Sequence, residues 1–345
     1  HHYDSHSSVF SLVPCHEDSD VARTTGSTAS RCNTGHGNLV QPSTSSTGVI
    51  SRSTITIIHH VQRVASGDNG CFQVSELVSS GAVTKLERSG RDLVHMEVGE
   101  PDFPTPEPIV RAGQDALAAG KTRYTPALGM PELRETIAAH YADRFGVSVE
   151  PGNVAVTPGA SGALLLALGV LVNPGDEVLM ADPGYPCNRH FVELLEGCPV
   201  SVAVGADSGY QLTAEIVESA WTPGTRVLLV ASPSNPTGTL LAPAQLAALQ
   251  QVVHSHGGMM IVDELYHELV FDQPPYTALE YSRELFVINS FSKYFGMTGW
   301  RLGASVGPRE IVDVIAKLNV NDESCSNHFI QYGALAGLEG DQAEV

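Results

Sequence analysis

Short, bounded apolar runs separated by segments with apolar positions three and four residues apart dominate the chain from Ser75 onward. Runs of the first kind suit buried strands, and segments of the second kind suit amphipathic helices. The spacing predicts helices over Val74 to Leu86, Glu107 to Ala119 with Pro108 in the first turn, and Pro131 to Phe145 with Gly146 after its end. Asp92 to Val98 reads as extended, the prolines of 99–106 break regular structure, and Gly120 to Tyr124 reads as a loop. Strands are then predicted at Val154 to Thr157, Glu177 to Ala181, Val200 to Val204, Val227 to Ala231, Met259 to Val262, 285–289 and 302–306. Helices are predicted over Ala163 to Val172, near 188–195, 213–221 and 243–256, over Ile311 to Val320 and over His328 to Leu338. Strands alternating with helices imply an α/β fold, a three-layer sandwich with a mostly parallel, mixed central sheet.

Residues 1–72 break this pattern. Eight of the twelve residues from Ser43 to Thr54 are Ser or Thr, and apolar periodicity is weak except at Ile55 to Val64. Such a composition buries too little apolar surface to offset its ordering entropy, so an irregular or disordered segment is expected there. Residues 73–120 are expected to form an N-terminal arm and part of a small domain, and 121–345 a large domain.

Composition changes the picture only by exclusion. A formal net charge of -19 over 345 residues argues against nucleic acid or an anionic membrane as a partner. The longest apolar run falls short of a membrane span. Six cysteines without a CxxC pair suggest neither a zinc site nor a disulfide framework, and read as free thiols in a reducing, cytoplasmic compartment.

The chemistry gathers where predicted strands end. After the run at 285–288 come Ser290, Ser292, Lys293 and Arg301 in a Gly-rich loop. The hydroxyls and the guanidinium are donors for a phosphate, and a lysine amine can form an imine with a carbonyl. Phosphate donors around an imine-forming lysine point to pyridoxal 5′-phosphate; a solvated lysine is the other reading. The turn Gly159-Ala160-Ser161-Gly162 offers backbone N–H groups at a helix N-terminus, either an anion site or a plain turn. Asp263 either holds a pyridine nitrogen protonated or caps the next helix. Asp263, Glu264, His267 and Glu268 lack metal-ligand spacing, so no metal is expected. Ser232 to Gly238 is a turn signal with room for a cis X-Pro bond, aiming Asn235 into a pocket. Tyr185 sits on a rigid turn where it either stacks on a planar group or simply packs. His254 and His256 suit a helix C-terminus.

Seven motifs occur in order: VGEPDFPTP at 98–106, YTPALGMPELR at 124–134, TPGASGA at 157–163, DPGYP at 182–186, SPSNPTG at 232–238, VDELY at 262–266 and SFSKYFGMTGWRLG at 290–303. Together they make residues 75 to the end similar to the class I/II, aspartate-aminotransferase-like enzymes of fold type I. The resemblance implies a pyridoxal-phosphate-dependent aminotransferase acting on an amino acid and a 2-oxo acid. It matches Lys293 to the lysine that joins the cofactor and shuttles the proton, and Asp263 to the partner of the pyridinium nitrogen. Tyr266 and Asn235 match residues bonding the phenolic oxygen, Asn235 also facing substrate, and Tyr185 matches the stacking ring. Ala160, Ser161, Ser290, Ser292 and Arg301 match the phosphate cradle. Tyr124 matches a tyrosine that reaches the neighbouring active site of a homodimer, and Gly99 a backbone contact near the substrate carboxylate.

The same scaffold also carries C–S β-lyases and cyclopropane-forming synthases, which use the same lysine and aspartate. It serves as an effector domain in some regulators too, where a winged-helix module precedes it; residues 1–72 lack a basic recognition helix. The chain begins at His1, and Arg309 is its last arginine. In the family a further small domain supplies an arginine that clamps the substrate carboxylate. The resemblance therefore leads one to expect that residues 1–345 alone do not turn over normally.

Overall fold

The structure is a computed structural model that describes residues 87, 88, 90, 99–271 and 273–341. The expected elements at Val74 to Leu86, Asp92 to Val98 and Ile55 to Val64, and the expected irregular segment 1–72, lie outside the described residues.

In chain order come α1 (Glu107–Ala118), α2 (Pro131–Phe145), β1 (Val154–Thr157), α3 (Gly159–Leu171), β2 (Glu177–Asp182) and α4 (Cys187–Leu194). Then follow β3 (Cys198–Ala203), α5 (Ala214–Ala220), β4 (Thr225–Ala231), α6 (Pro243–Ser255), β5 (Met259–Asp263), β6 (Phe286–Ser290), β7 (Gly303–Val306), α7 (Arg309–Asp322) and α8 (His328–Glu339). The sheet has seven strands in the order β1-β7-β6-β5-β4-β2-β3, and β7 alone is antiparallel to its neighbours β1 and β6. The α/β expectation and the mixed, mostly parallel sheet agree with this.

Both faces of the sheet are apolar, which is why the strands read as unbroken hydrophobic runs. Along β4, Leu228 and Val230 enter one core with Met260, Val262 and Val287, under α2, α6 and α8. Val227 and Leu229 enter the other with Ile261, Phe286 and Ile288, under α3 and α7. The period-2 alternation of side chains makes this division. Two prolines open helices at their first turns (α1 and α2), and Gly146 closes α2 in the left-handed conformation, φ 66°.

One boundary differs from expectation in a way that matters. Helix α3 starts at Gly159, not Ala163, so the whole Gly159–Gly162 motif is its first turn. Glycine's poor intrinsic helix propensity argued for a later start. Tertiary packing overrides it: a Cβ on Gly303 of β7 would fall 2.6 Å from the Gly159 carbonyl carbon and 2.8 Å from the Ala160 nitrogen. Backbone therefore rests on backbone where β7 meets the start of α3. Helix α1 docks by a similar device, with Ile109 against Gly333 and Gly337 of α8.

Gly303→Ala is expected to destabilise the fold by about 1–3 kcal/mol, because neither backbone can yield to the added methyl. Urea unfolding of the two proteins measures the difference; equal midpoints would mean that the contact has slack.

Candidate functional site

β1 and β6 are both antiparallel to β7 and so share one direction, which β5, β4, β2 and β3 also follow. Their C-terminal ends meet at one edge of the sheet, where an α/β fold places its ligands. There the segments after β1, β2, β4, β5 and β6 surround a cavity of about 960 Å³. Ala160 and Ser161 enter it from the start of α3, Tyr185 from the turn after β2, Asn235 from the turn after β4, and Asp263 and Tyr266 from the end of β5. Lys293 enters from the loop after β6, and Gly99 closes one side. Its walls are otherwise largely apolar, with Leu164, Phe191, Leu240 and Ile288 among them, as small-molecule sites are.

Lys293 is half-buried. Its amine donates a hydrogen bond to the Gly99 carbonyl and lies 6.0 Å from the centroid of the Tyr266 ring. Asp263 is surrounded by protein but opens on the cavity. Burial pushes its carboxyl up to about 6, opposed only by the Leu265 N–H, which donates to Oδ1 at 3.0 Å. Neither influence is a cation. The segment after β5 is a turn over 265–268, so the reading of Asp263 as the cap of a following helix does not hold.

Ser290, Ser292 and Arg301 stand beside the cavity, outside the lining to which Ala160 and Ser161 belong. The Ser290 hydroxyl donates to Ser292 Oγ at 2.9 Å, Ser292 N–H donates back to Ser290 Oγ at 3.1 Å, and both side chains are buried. Arg301, itself in the left-handed conformation at φ 53°, lays its guanidinium over Gly159: a Cβ there would fall 2.4 Å from Nη2. The α3 N-terminus has no side-chain cap, so its first N–H groups are unclaimed by one. The Arg301 guanidinium and the first turn of α3 thus meet, next to the strand end where Ser290 pairs with Gly303. Tyr124 is not brought to this cavity; it is 86% exposed on the surface of the chain. Within 182–236 three X-Pro bonds are cis: Asp182-Pro183, Ser232-Pro233 and Asn235-Pro236. No group of His, Cys, Asp and Glu among the described residues is arranged to hold a metal ion. Cys187, Cys198 and Cys325 form no disulfide among the described residues.

Sequence reasoning missed Glu264 and Asn188. Glu264 is 2% exposed, turned away from the cavity beneath Asp263. Thr277 Oγ1 donates to both its oxygens, at 3.1 and 2.9 Å, and the Ala278 N–H donates to Oε1 at 2.6 Å. These bonds pin 277–278, just past Tyr276 in the cavity wall, to the end of β5. Burial outweighs them and pushes the carboxyl up to about 8. A glutamate between Asp263 and Leu265 gives no local signal of such burial. Asn188 had one: it follows Tyr185 by three residues, the spacing that puts two side chains on the same face of a helical turn.

Glu264 therefore stays protonated in the folded chain between pH 4.5 and about 8, where the unfolded chain has released the proton. Stability falls as pH rises across that interval. Asp263, raised from 3.8 to about 6, acts with the same sign but lower down. Burial keeps His267 neutral below its ordinary 6.5, so its opposite slope also ends there. Among the described residues, the slope above pH 6.5 belongs to Glu264. Glu264→Gln, which keeps an acceptor for the same donors, is expected to flatten the urea midpoint between pH 6.5 and 8; an unchanged slope would contradict the buried acid.

Comparison with known proteins follows the geometry. The family model described as aminotransferase class I and II matches residues 91–345. Over 260 residues the chain is 40% identical to the valine–pyruvate aminotransferase of Mycobacterium tuberculosis, covering 74% of this chain and 66% of that protein. It is 35% identical over 276 residues to an aspartate aminotransferase of Rhizobium meliloti, covering 78% and 67%. Among solved structures, the aspartate aminotransferase of Thermus thermophilus with maleate superposes with a TM-score of 0.77 at 32% identity, covering 83% of this chain and 73% of that one. The chain thus spans about two thirds of the length of these two curated relatives.

Proposed function

The chain belongs to the class I and II aminotransferases, a pyridoxal-5′-phosphate-dependent family, and from that premise we propose that it moves an amino group between an L-amino acid and a 2-oxo acid. The observation that carries this reading is the meeting, in one cavity, of an amine (Lys293), a buried carboxylate without a cation (Asp263) and a planar ring (Tyr185), beside an anion cradle. The residues fit the cofactor on grounds of their own. A carboxyl pushed up to about 6 by burial is a ready partner for a ring nitrogen that carries a proton. A cradle of hydroxyls, guanidinium and helix N–H groups suits a phosphate dianion.

When bound, the cofactor supplies an aldehyde that links to amines and a ring that takes up electron density from the carbon beside them. The protein's part is orientation and proton handling. Lys293 Nζ would be the covalent anchor and, when displaced by substrate, the group that takes and returns the proton. Asp263 would hold the proton on the ring nitrogen, Tyr266 and Asn235 would donate to the phenolic oxygen, and Tyr185 would pack on the ring face. Ala160, Ser161, Ser290, Ser292 and Arg301 would hold the phosphate. Gly99 and Asn235 would meet the substrate carboxylate.

The finer points rest on the same reading. Residues 121–345 would be the large cofactor-binding domain, with 73–120 as arm and part of a small domain. A homodimer in which Tyr124 reaches the neighbouring site is supported by that ring's 86% exposure. Cysteines without a disulfide among the described residues suit a reducing cytoplasm. No helix among the described residues is long and apolar enough to cross a membrane.

Pyridoxal 5′-phosphate added to the purified protein is expected to give a visible absorbance band from linkage to Lys293. Lys293→Ala is expected to abolish that band and, in the active protein, to lower transamination by at least about 10²–10⁴-fold. A band that survives the substitution would refute the assignment of Lys293.

A further inference from the structure

Segment 99–105 runs from the cavity wall at Gly99 toward the start of α1 and is bonded along the way to the loop that carries Lys293. The Lys293 amine donates to the Gly99 carbonyl, and the Thr298 hydroxyl donates to Glu100 Oε1. At the far end Thr105 Oγ1 donates to the Gly296 carbonyl at 2.6 Å, and Trp300 Nε1 donates to Thr105 Oγ1 at 3.2 Å. The two bonds at Thr105 are half-buried; the two near the cavity are exposed.

The pair of bonds at Thr105 can run only one way. An indole N–H only donates and a carbonyl only accepts, so the hydroxyl must take from Trp300 and give to Gly296. Both partners are themselves held. The Trp300 ring lies so close to α1 and α8 that a Cβ on Gly113 would fall 2.8 Å from it, and one on Gly333 2.7 Å. Gly296 is left-handed at φ 60°, and its N–H donates to the Lys293 carbonyl at 3.2 Å, closing the turn that begins at the lysine. A Cβ on Gly296 would come within 3.6 Å of Thr105 Cα, so the two segments touch. The hydroxyl thus joins an indole clamped between helices to the turn that bears the amine.

We propose that Thr105 is a positioning residue for Lys293: its hydroxyl pins turn 293–296 and segment 99–105 to each other, and so sets how the amine and the Gly99 backbone face across the cavity. The role of Lys293 rests on the functional reading above. The bond from the amine to the Gly99 carbonyl belongs to the free amine, and linkage to a carbonyl group takes that donor away. The bond to Glu100 is exposed, where water competes for both partners. The half-buried hydroxyl of Thr105 is then the tie that keeps the two segments together while the lysine is engaged.

The test compares the full chain with Thr105→Val, which keeps the shape and loses the hydroxyl, and Thr105→Ser, which keeps the hydroxyl. Two quantities are read. One is the rate of chymotryptic cleavage after Phe103, 81% exposed, in the chain without cofactor, with the cut located by mass spectrometry. The other is the dissociation constant for pyridoxal 5′-phosphate, from its visible band. Cleavage requires the segment to lift from the loop, so its rate follows the open fraction. The Val variant is expected to be cut about three- to ten-fold faster and to bind the cofactor about three- to ten-fold more weakly, as the loss of such hydrogen bonds implies, with Ser within about two-fold of the parent on both. Faster cleavage with unchanged cofactor binding would reduce Thr105 to a fastener of the surface and overturn the positioning role. Unchanged cleavage of the Val variant would overturn the proposal outright, and so would a Ser variant that behaves like Val, because the methyl group would then be what matters. A parent chain that gives no band would overturn the functional reading and the role toward Lys293 with it, while the cleavage rates still decide whether the hydroxyl pins the segment.

Discussion

A carboxylate held inside protein without a cation is the constraint on which the site depends. Asp263 ends a strand whose three middle residues, Met260, Ile261 and Val262, are fully buried, and burial raises its carboxyl to about 6. Water would relieve that cost, and so would a protonated ring brought in from outside; the apolar wall around it limits the first and leaves room for the second. The amine of Lys293, one strand over, then faces the same space with the opposite chemistry.

The scaffold makes that juxtaposition rigid. Because β1, β2, β4, β5 and β6 run one way, five loops reach one edge, and their spacing is set by the sheet and not by the loops themselves. Antiparallel β7 interrupts the series between β1 and β6, and its first residue, Gly303, brings its backbone onto the first turn of α3. That contact aims the helix N-terminus. Arg301, two residues earlier, reaches the same turn from above. The placing of the helix N-terminus and the pairing of β7 are therefore one packing problem, which is why Gly159 and Gly303 stand on both sides of it.

Beneath the site a second buried acid works by different means. Glu264 takes three donated bonds from Thr277 and Ala278 and anchors the chain that returns past the cavity wall. Its proton, retained by burial, spares Asp263 a like charge at the adjacent position. Two neighbouring carboxyls thus serve separate ends because one faces the cavity and the other the core. Farther out, His140 and Arg144 act on Glu268: burial alone would raise that acid, but the His140 bond at 2.9 Å and the surrounding positive charge bring it below its ordinary value.

Much of this was written in the order of residues. Strands buried on both faces must be apolar without interruption, so Val154 to Thr157 and the run around 286–290 stood out, and helices opened by Pro108 and Pro131 fell where expected. Lys293, Asp263, Tyr185 and Asn235 could be singled out because each stands at or just after the end of a strand, and the folded chain brings them to one cavity. What only the folded chain decided concerns neighbours distant in sequence. The place of β7, the start of α3 at Gly159, the guanidinium of Arg301 over that glycine, the protonation of Glu264 and the burial of Asn188 all follow from desolvation and close approach between segments that periodicity cannot relate. Local pattern depends on a residue and its near neighbours; burial depends on everything that packs around it.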